Sequence, residues 1–295
     1  MTASAHGKVI LLGEHAVVFG ADALAASLSP GAECDARPSP GGSVLEVAPW
    51  GSSFRPGDGS ELGRAVGLLC EAMGLEDVAL ALTLHLPGGG GLGSSAAMGV
   101  ACARALAEAT GRALGDDELL GYALAWERVF HGNPSGVDHT LAALGGVGLY
   151  NRATGFRRVP TRGALRLCLG DSGERASTRA MVEGVARLRA RRPEATDRTF
   201  EAIGVVARNG AVALETGDAK GLGDFMNLNQ NLLSTLLVST ERLDRLADEV
   251  DLLAPVDPAA LAAEEEVAVH LRTRSTADVV ARARQQAALR TRRGR

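Results

Sequence analysis

The glycine-rich segment at residues 87–97 constrains this chain more than any other stretch, and it reads P-G-G-G-G-L-G-S-S-A-A. Before it, apolar residues occupy every second position from Val78 to Leu86, which predicts a half-buried strand. After it, residues 96–108 contain Ala, Met, Val, Cys and Leu without Pro, which predicts a helix ending near Gly111. The predicted order is strand, glycine loop and helix.

Four consecutive glycines cost chain entropy, and they are useful where the backbone needs a positive φ or must approach another group closely. Ser94 and Ser95 follow at the predicted helix start, where free N–H groups and the helix dipole attract anions. An ordinary glycine-rich turn with a serine N-cap is the alternative, and an isolated glycine run would favour it. The strand before the loop and the helix after it favour a phosphate site.

Two common phosphate loops do not fit this segment. Gly88 and Gly93 have the spacing of a Walker loop, but Ser94 stands where that loop needs lysine. Gly88, Gly90 and Gly93 also satisfy G-x-G-x-x-G, yet no run of βαβ units surrounds them. We therefore expect a phosphate loop of another kind.

The composition bounds the class of protein. The 295 residues could form one large domain or two smaller ones, and 46% hydrophobic residues with a mean hydropathy of +0.06 indicate a soluble globular protein. No stretch approaches the roughly eighteen apolar residues of a membrane span, and the N-terminus lacks a signal-peptide pattern. We therefore predict a cytoplasmic location and no membrane partner. The net charge of −4 gives no reason to expect nucleic acid.

Cysteine and lysine usage adds two expectations. The four cysteines are scattered without a C-x-x-C pair, which favours reduced, buried thiols over a metal site or disulfides; they are Cys34, Cys70, Cys102 and Cys168. Only Lys8 and Lys220 are lysines among 31 basic residues. Lys8 could be a solvated surface charge, or it could stand where arginine would not serve.

The remaining pattern predicts the other elements of the fold. A short strand at 9–12 leads into a polar turn holding Glu14 and His15. Further strands between 24 and 47 are separated by predicted turns at 29–31 and 38–42. We also expect a loop at 50–60, strands at 145–150 and 165–169, and helices at 61–73, 200–214 and 222–240.

Two carboxylates flank a sharp turn. A helix predicted from Asp116 to about residue 130 ends in H-G-N-P-S-G-V-D, after which the next helix is expected at 137–144. Glu127 precedes that turn and Asp138 follows it. They are either a surface glutamate and a helix-start aspartate, or a magnesium ligand and a catalytic acid. Ser177 and Thr178 open a later helix, where they could serve only as an N-cap.

A family resemblance emerges from four blocks in register, which read G-K-V-I-L-L-G-E-H-A-V-V-F-G, P-G-G-G-G-L-G-S-S-A-A, E-R-V-F-H-G-N-P-S-G-V-D and S-T-R-A-M-V. Together they resemble the mevalonate kinases of the GHMP kinase superfamily, over roughly residues 3–246. The resemblance implies a two-lobed α+β GHMP kinase fold with a mixed α/β N-terminal lobe and a ferredoxin-like C-terminal lobe. It also implies ATP and Mg²⁺ as cofactors and mevalonate as the small-molecule substrate.

The resemblance assigns roles residue by residue. Backbone N–H groups would wrap the ATP phosphates at Pro87, Gly88, Gly89, Gly90, Gly91, Leu92, Gly93, Ser94, Ser95 and Ala96. Ser94 or Ser95 would join Glu127 in holding Mg²⁺. Asp138 would accept or orient the proton of the mevalonate C5 hydroxyl, and Lys8 would keep that carboxylate ionised and offset charge during transfer. The mevalonate pocket would be lined by Glu14, His15, Ser177 and Thr178.

The chain departs from the family near its C-terminus, where a G-A-G-G-G-G block is missing. From Asp251 onward there is a single glycine, Gly294, and arginines crowd an Ala-rich stretch. A reading-frame change or rearrangement is one hypothesis for this shift. We therefore predict an ATP-binding domain at 1–160, a partial C-terminal domain at 161–250 and an atypical tail at 251–295.

Three interpretations of the function stay open at this stage. The leading one is ATP-dependent phosphorylation of mevalonate for isoprenoid precursor synthesis. The second is a degenerate kinase that binds ligand with little or no turnover, because the third glycine block is missing. The third is a related small-molecule kinase or decarboxylase of the same superfamily. A homodimer is one assembly open to the chain.

Overall fold

The computed structural model describes residues 2–86, 90–132, 134–162, 167, 169 and 178–250. Within these residues, one seven-stranded sheet combines with eight α-helices, so the predicted α+β class is confirmed. The strands are β1 Ala3–Leu12, β2 Ala23–Pro38, β3 Val44–Val47, β4 Ser52–Phe54, β5 Val78–Leu84, β6 Val147–Asn151 and β7 Gly155–Arg158. The sheet order is β4-β3-β5-β2-β6-β7, with β1 paired to β2. β3 and β5 pair in parallel, and the other pairs are antiparallel.

β2 organises the sheet because it pairs with three other strands. Its first part pairs with β6 at 23–26, its second part pairs with β5 at 32–38, and β1 runs antiparallel to both. The turn predicted at 29–31 is wrong, since these residues lie within β2 where its register with β1 shifts near Gly7. A Cβ on Gly31 would lie 2.3 Å from the Gly7 nitrogen, so glycine serves a close backbone approach here.

Most helices lie where the sequence predicts them, although the helix predicted at 222–240 ends at Thr235 and the last helix was not predicted. They are α1 Glu61–Met73, α2 Ser94–Ala109, α3 Asp116–His131, α4 Val137–Leu144, α5 Thr178–Arg191, α6 Pro193–Thr216, α7 Ala219–Thr235 and α8 Glu241–Val250. α1 and α4 have the predicted bounds. α6 begins earlier than predicted because Pro193 occupies its first turn, a position that proline favours. The predicted loop at 50–60 contains the short strand β4, and β7 was not predicted.

The helices pack against the sheet through separate groups of buried side chains. Leu80 of β5 and Leu106 of α2 belong to the group that also contains Trp126 of α3. Leu12 of β1 belongs to another group, with Ala207 of α6 and Leu222 of α7 among its members. β1 therefore contacts both groups of helices, and the functional side chains that it carries are held from both.

The remaining sequence predictions have mixed outcomes. Cys34, Cys70 and Cys102 are buried free thiols as expected, whereas Cys168 lies outside the described residues. Most of the strand predicted at 165–169 and all of the tail at 251–295 also lie outside them. The domain boundaries at 160 and 250 stay predictions. In the described part of the chain, no helix is long and apolar enough to cross a bilayer.

Candidate active site

Lys8 joins β1 to the glycine segment. Its backbone N–H donates to the Leu92 carbonyl at 2.9 Å, and its Nζ donates to the Gly91 carbonyl at 2.9 Å. The same Nζ lies 3.2 Å from Asp138 Oδ1, and Lys8 is only 9% exposed. A buried ammonium needs such partners because desolvation without them is costly. Lys8 is therefore a fixed charge and not a solvated surface lysine.

Gly93 sets the start of α2. It has φ +74, and a Cβ there would lie 2.8 Å from the Lys8 Cγ, so a larger residue would be strained and would collide with Lys8. The helix has no side-chain N-cap, so the N–H groups of its first turn face the loop without that partner. This confirms the predicted strand, loop and helix order and leaves an N-terminus suited to an anion.

Most of the predicted phosphate-binding residues are among those that the structure describes. Pro87, Gly88 and Gly89 lie outside the described residues, whereas Gly90 and Gly91 are exposed. The side chain of Ala96 is buried in the core, so only its backbone could bind a ligand. The phosphate-binding role of the segment stays a prediction.

Glu127 is a completely buried carboxylate on α3. Its Oε1 accepts a hydrogen bond from Ser95 Oγ at 2.5 Å, so α2 and α3 meet at this pair. Its Oε2 has no hydrogen-bond partner among the described residues. Burial, and next the nearby charge of Asp138, raise the pKa of Glu127 to about 8. The site therefore holds a carboxyl group whose charged form is only partly compensated, by the Ser95 hydroxyl and the charge of Lys8.

Asp138 lies in the first turn of α4, at the end of the sharp turn that the sequence predicts. The turn depends on Gly136, which has φ +103 and leaves no room for a side chain, since a Cβ would lie 1.8 Å from the Tyr150 hydroxyl. That hydroxyl donates to the Ser135 carbonyl at 3.1 Å. Unlike Glu127, the Asp138 side chain is 28% exposed, so it can be reached by a ligand.

A cleft of about 340 Å³ opens beside these carboxylates. Glu127 and Asp138 line it together with His131, His139 and Arg179. The sequence motifs indicate no role for these last three residues. The spacing of Glu127 and His131 by one helical turn on α3 could have indicated His131, because residues i and i+4 share a face. Local sequence offered no comparable signal for Arg179, which comes from the distant helix α5.

Glu14 and His15 lie in the loop after β1, near Lys8 but outside the lining of this cleft as the described residues define it. Burial raises the pKa of Glu14, and the nearby charge of Lys8 opposes only part of that rise. Burial lowers the pKa of His15, and the charge of Lys8 lowers it further. Glu14 Oε2 accepts a hydrogen bond at 2.9 Å from Asn229 Nδ2, and Asn229 Oδ1 accepts from the Gly13 N–H at 3.3 Å. Asn229 is a further residue that the sequence analysis missed.

Of the two hydroxyl residues predicted for the substrate pocket, the structure describes one. Ser177 lies outside the described residues, and Thr178 is the first residue of α5. The next residue, Arg179, lines the cleft. Arg179 and Asp138 therefore line the same cleft, whereas the substrate-binding roles of Ser177 and Thr178 stay predictions.

Comparisons with known proteins agree with this geometry. Residues 61–146 match the family model described as GHMP kinases N terminal domain. The chain is 35% identical to a mevalonate kinase of Aeropyrum pernix, over 83% of this chain and 79% of the relative. It is 30% identical to a mevalonate kinase of Schizosaccharomyces pombe, over 82% of this chain and 76% of the relative. The crystal structure of L. major mevalonate kinase in complex with R-mevalonate superposes with a TM-score of 0.71 and 28% identity, covering 85% of this chain and 80% of that one.

Proposed function

The chain belongs to the mevalonate kinase family, and we propose that it transfers the γ-phosphoryl group of ATP to the C5 hydroxyl of mevalonate, giving 5-phosphomevalonate for isoprenoid precursor synthesis. The observation that carries this proposal is the ion pair between Lys8 and Asp138, 3.2 Å apart beside the N-terminus of α2. It brings an anchored cation and an accessible carboxylate together beside a helix N-terminus suited to an anion. Phosphoryl transfer needs these groups, since its catalysis is mainly positioning and electrostatics.

The N-terminus of α2 and the glycine segment would bind the ATP phosphates. Free N–H groups of the first helical turn and the positive end of the helix dipole favour negative charge. Lys8 holds the Gly91 and Leu92 carbonyls through its side chain and backbone. Because these carbonyls point to Lys8, the segment is kept beside the ammonium that would face the transferred phosphoryl group.

The residues at Glu127 fit a magnesium ion. The Oε2 atom of this buried carboxylate finds no hydrogen-bond donor in the described part of the chain, and Ser95 brings a hydroxyl oxygen to the other carboxylate atom. Carboxylate and hydroxyl oxygens are ligands that Mg²⁺ accepts. When bound, the ion would neutralise charge on the β- and γ-phosphate oxygens. Of the two predicted serines, Ser95 is the one that donates to Glu127.

Asp138 would accept the proton of the C5 hydroxyl as that oxygen attacks phosphorus. Its side chain reaches the cleft and keeps one oxygen, Oδ1, on Lys8. The ammonium offsets the carboxylate charge before transfer and the phosphoryl charge during transfer. We assign the rest of mevalonate to Glu14, His15, Ser177 and Thr178, which the family resemblance marks for the pocket.

A degenerate kinase without turnover is less favoured. Its support is the glycine-rich block missing from residues 251–295, which lie outside the described residues. Against it, Lys8, Ser95, Glu127 and Asp138 are mutually in contact or close, although they come from four separate elements. The cytoplasmic location, the homodimer and the lack of nucleic-acid or membrane partners stay predictions.

The test is ADP release by the full-length chain with Mg-ATP, with and without mevalonate. We expect release that depends on mevalonate and that Asp138→Asn abolishes while the thermal unfolding midpoint stays near that of the wild type. Asp117→Asn, an exposed change on α3, is the matched control. ADP release at the same rate with and without mevalonate would overturn the proposal. The absence of ADP release by the folded wild-type protein would also overturn it.

A further inference from the structure

His131 lies at the cleft but has no part in the proposed phosphoryl transfer. It is the last residue of α3, and its Nε2 is 3.6 Å from Glu127 Oε2. The turn after it returns the chain so that Asp138 approaches from the first turn of α4. One donor atom from each of Glu127, His131 and Asp138 lies within 4.8 Å of the others. Two helices thus bring an imidazole and two carboxylates together.

These distances are close to those of a metal site. Zinc binds nitrogen and oxygen ligands at about 2.0–2.2 Å, so tetrahedral ligand atoms are about 3.4 Å apart. The separation of 3.6 Å between Glu127 and His131 is already near that value. Since all three ligand atoms lie within 4.8 Å of one another, closing any pair requires a movement of at most about 1.4 Å, which rotation of the partly exposed Asp138 side chain can provide.

The second observation is the unsatisfied oxygen inside the cluster. Glu127 is fully buried, and its Oε2 faces His131 without a hydrogen-bond donor in the described residues. Buried polar atoms are normally satisfied, and an unpaired one in a native fold indicates a role or a missing ligand. Ser95 already occupies the other oxygen, Oε1, so Oε2 is the atom left to take an ion.

The donor set selects the class of ion. Magnesium prefers oxygen ligands and retains its water, whereas imidazole suits zinc and the other divalent transition metals. We propose that Glu127, His131 and Asp138 form a binding site for one divalent transition-metal ion of the zinc class, with His131 as the ligand that separates this ion from magnesium. The site exists without nucleotide, because all three ligands belong to the protein.

Occupation of this site would compete with the kinase reaction, a consequence that rests on the proposed function. An ion bound to Asp138 would withdraw that carboxylate from Lys8 and from the substrate hydroxyl. It would also occupy Glu127, which we assign to magnesium. Zinc should therefore inhibit turnover in proportion to its occupancy, and the inhibition should weaken when His131 is replaced.

The test measures metal binding directly, by calorimetric titration of the nucleotide-free full-length protein with Zn²⁺ alone. We expect one equivalent to bind far more tightly than Mg²⁺. His131→Gln should weaken Zn²⁺ binding by at least about tenfold and leave the weak Mg²⁺ binding nearly unchanged. His85→Gln is the matched control, because His85 also faces a carboxylate, with Nε2 3.1 Å from Glu33 Oε2, but it follows the end of β5 and does not line the cleft as the described residues define it.

Unchanged Zn²⁺ affinity in His131→Gln, or an equal loss in His85→Gln, would overturn the proposal. Asp138→Asn is an independent test that can be used if His131→Gln fails to fold. It replaces the carboxylate ligand of the third residue and should also weaken Zn²⁺ binding. Co²⁺ titrations of the wild type should show the visible spectrum of a low-coordinate nitrogen and oxygen site, and a spectrum of hydrated Co²⁺ would contradict it. ADP release is measured separately, so a failed kinase assay and a failed titration remain distinguishable.

Discussion

Two carboxylates on successive helices face the same cleft from opposite surroundings. Asp138 is 28% exposed and lies 3.2 Å from the ammonium of Lys8. Glu127 is fully buried, accepts one bond from the Ser95 hydroxyl, and has its pKa raised to about 8. Their side chains differ by one methylene, so environment separates their roles. The accessible carboxylate paired with Lys8 suits proton acceptance, and the buried, only partly compensated carboxylate suits a cation.

The two carboxylates also affect each other's surroundings, because they flank the same turn between α3 and α4. The charge of Asp138 raises the cost of ionising Glu127 and so contributes to the raised pKa of Glu127. Lys8 compensates only part of that repulsion, because its Nζ is bonded to Asp138 and to the Gly91 carbonyl. When Glu127 is ionised, two carboxylates share a single ammonium, which leaves room for one further positive charge.

The largest expected effect comes from removing the charge of Asp138. Asp138→Asn keeps the shape of the side chain but cannot accept a proton, so kcat should fall by about a thousandfold. Mevalonate-dependent ADP release measures it, and a urea unfolding curve checks that the protein remains folded. A loss of less than tenfold would show that Asp138 is not the proton acceptor and would remove the contrast with Glu127.

The next effect tests the partner of Asp138. Lys8→Met removes the ion pair and the bond to the Gly91 carbonyl, so kcat should fall by about a hundredfold, as when a transition-state charge loses a fixed donor. Lys220→Met is the matched control, since Lys220 lies on the surface and contacts only Asp224 on its own helix in the described structure. Equal losses in both variants would contradict a special role for Lys8.

A pH series tests the surroundings of Glu127. Between its ordinary pKa of 4.5 and about 8, folded Glu127 keeps a proton that the unfolded chain has released. Its contribution to the free energy of unfolding is therefore present below that range and falls as pH rises, by up to about 1.4 kcal/mol per pH unit, becoming constant above about pH 8. Asp138, Lys8 and Ser95 act on this carboxyl, and His131 faces it.

Glu127→Gln should remove this slope. Urea unfolding with a chelator present, from about pH 5 to about pH 9, should show the variant gaining stability relative to wild type as pH rises. Asp117→Asn, on the exposed side of the same helix, is the control for the lost charge. Parallel pH curves for wild type and Glu127→Gln would show that Glu127 ionises normally, and the two carboxylates would then be alike.

Local sequence patterns predicted the parts of the fold that short-range physics controls. The apolar alternation before Pro87 and the acidic first turn at Asp116 fixed β5 and α3 closely, because both depend on neighbours in sequence. The segment at 29–31 misled, because serine, proline and glycine together are typical of a turn. Glycine is instead required at position 31 because the backbone of β1 approaches closely, a long-range contact that a local sequence pattern cannot indicate.

In the candidate site too, local sequence predicts some features, and tertiary packing alone determines the others. Lys8, Glu127 and Asp138 could be named from the sequence because they lie in recognisable blocks. Their different environments could not, since the burial of Glu127 arises from packing of α2 against α3. Asn229 reaches Glu14 from α7, more than two hundred residues away in sequence, so only the fold reveals their contact.

The smallest expected effect concerns Glu14, a third carboxylate near Lys8, whose donor is the Asn229 amide. Asn229→Ala removes the bonds to Glu14 and to the Gly13 N–H, so the free energy of unfolding should fall by about 1 kcal/mol. Because Glu14 would then lose its orientation, KM for mevalonate should rise about fivefold with a smaller change in kcat. Asn231→Ala, exposed on the same helix, should change neither. A fall in kcat with KM unchanged would place Glu14 with Asp138 in the chemical step, and the distinction between binding and catalytic carboxylates would have to be redrawn.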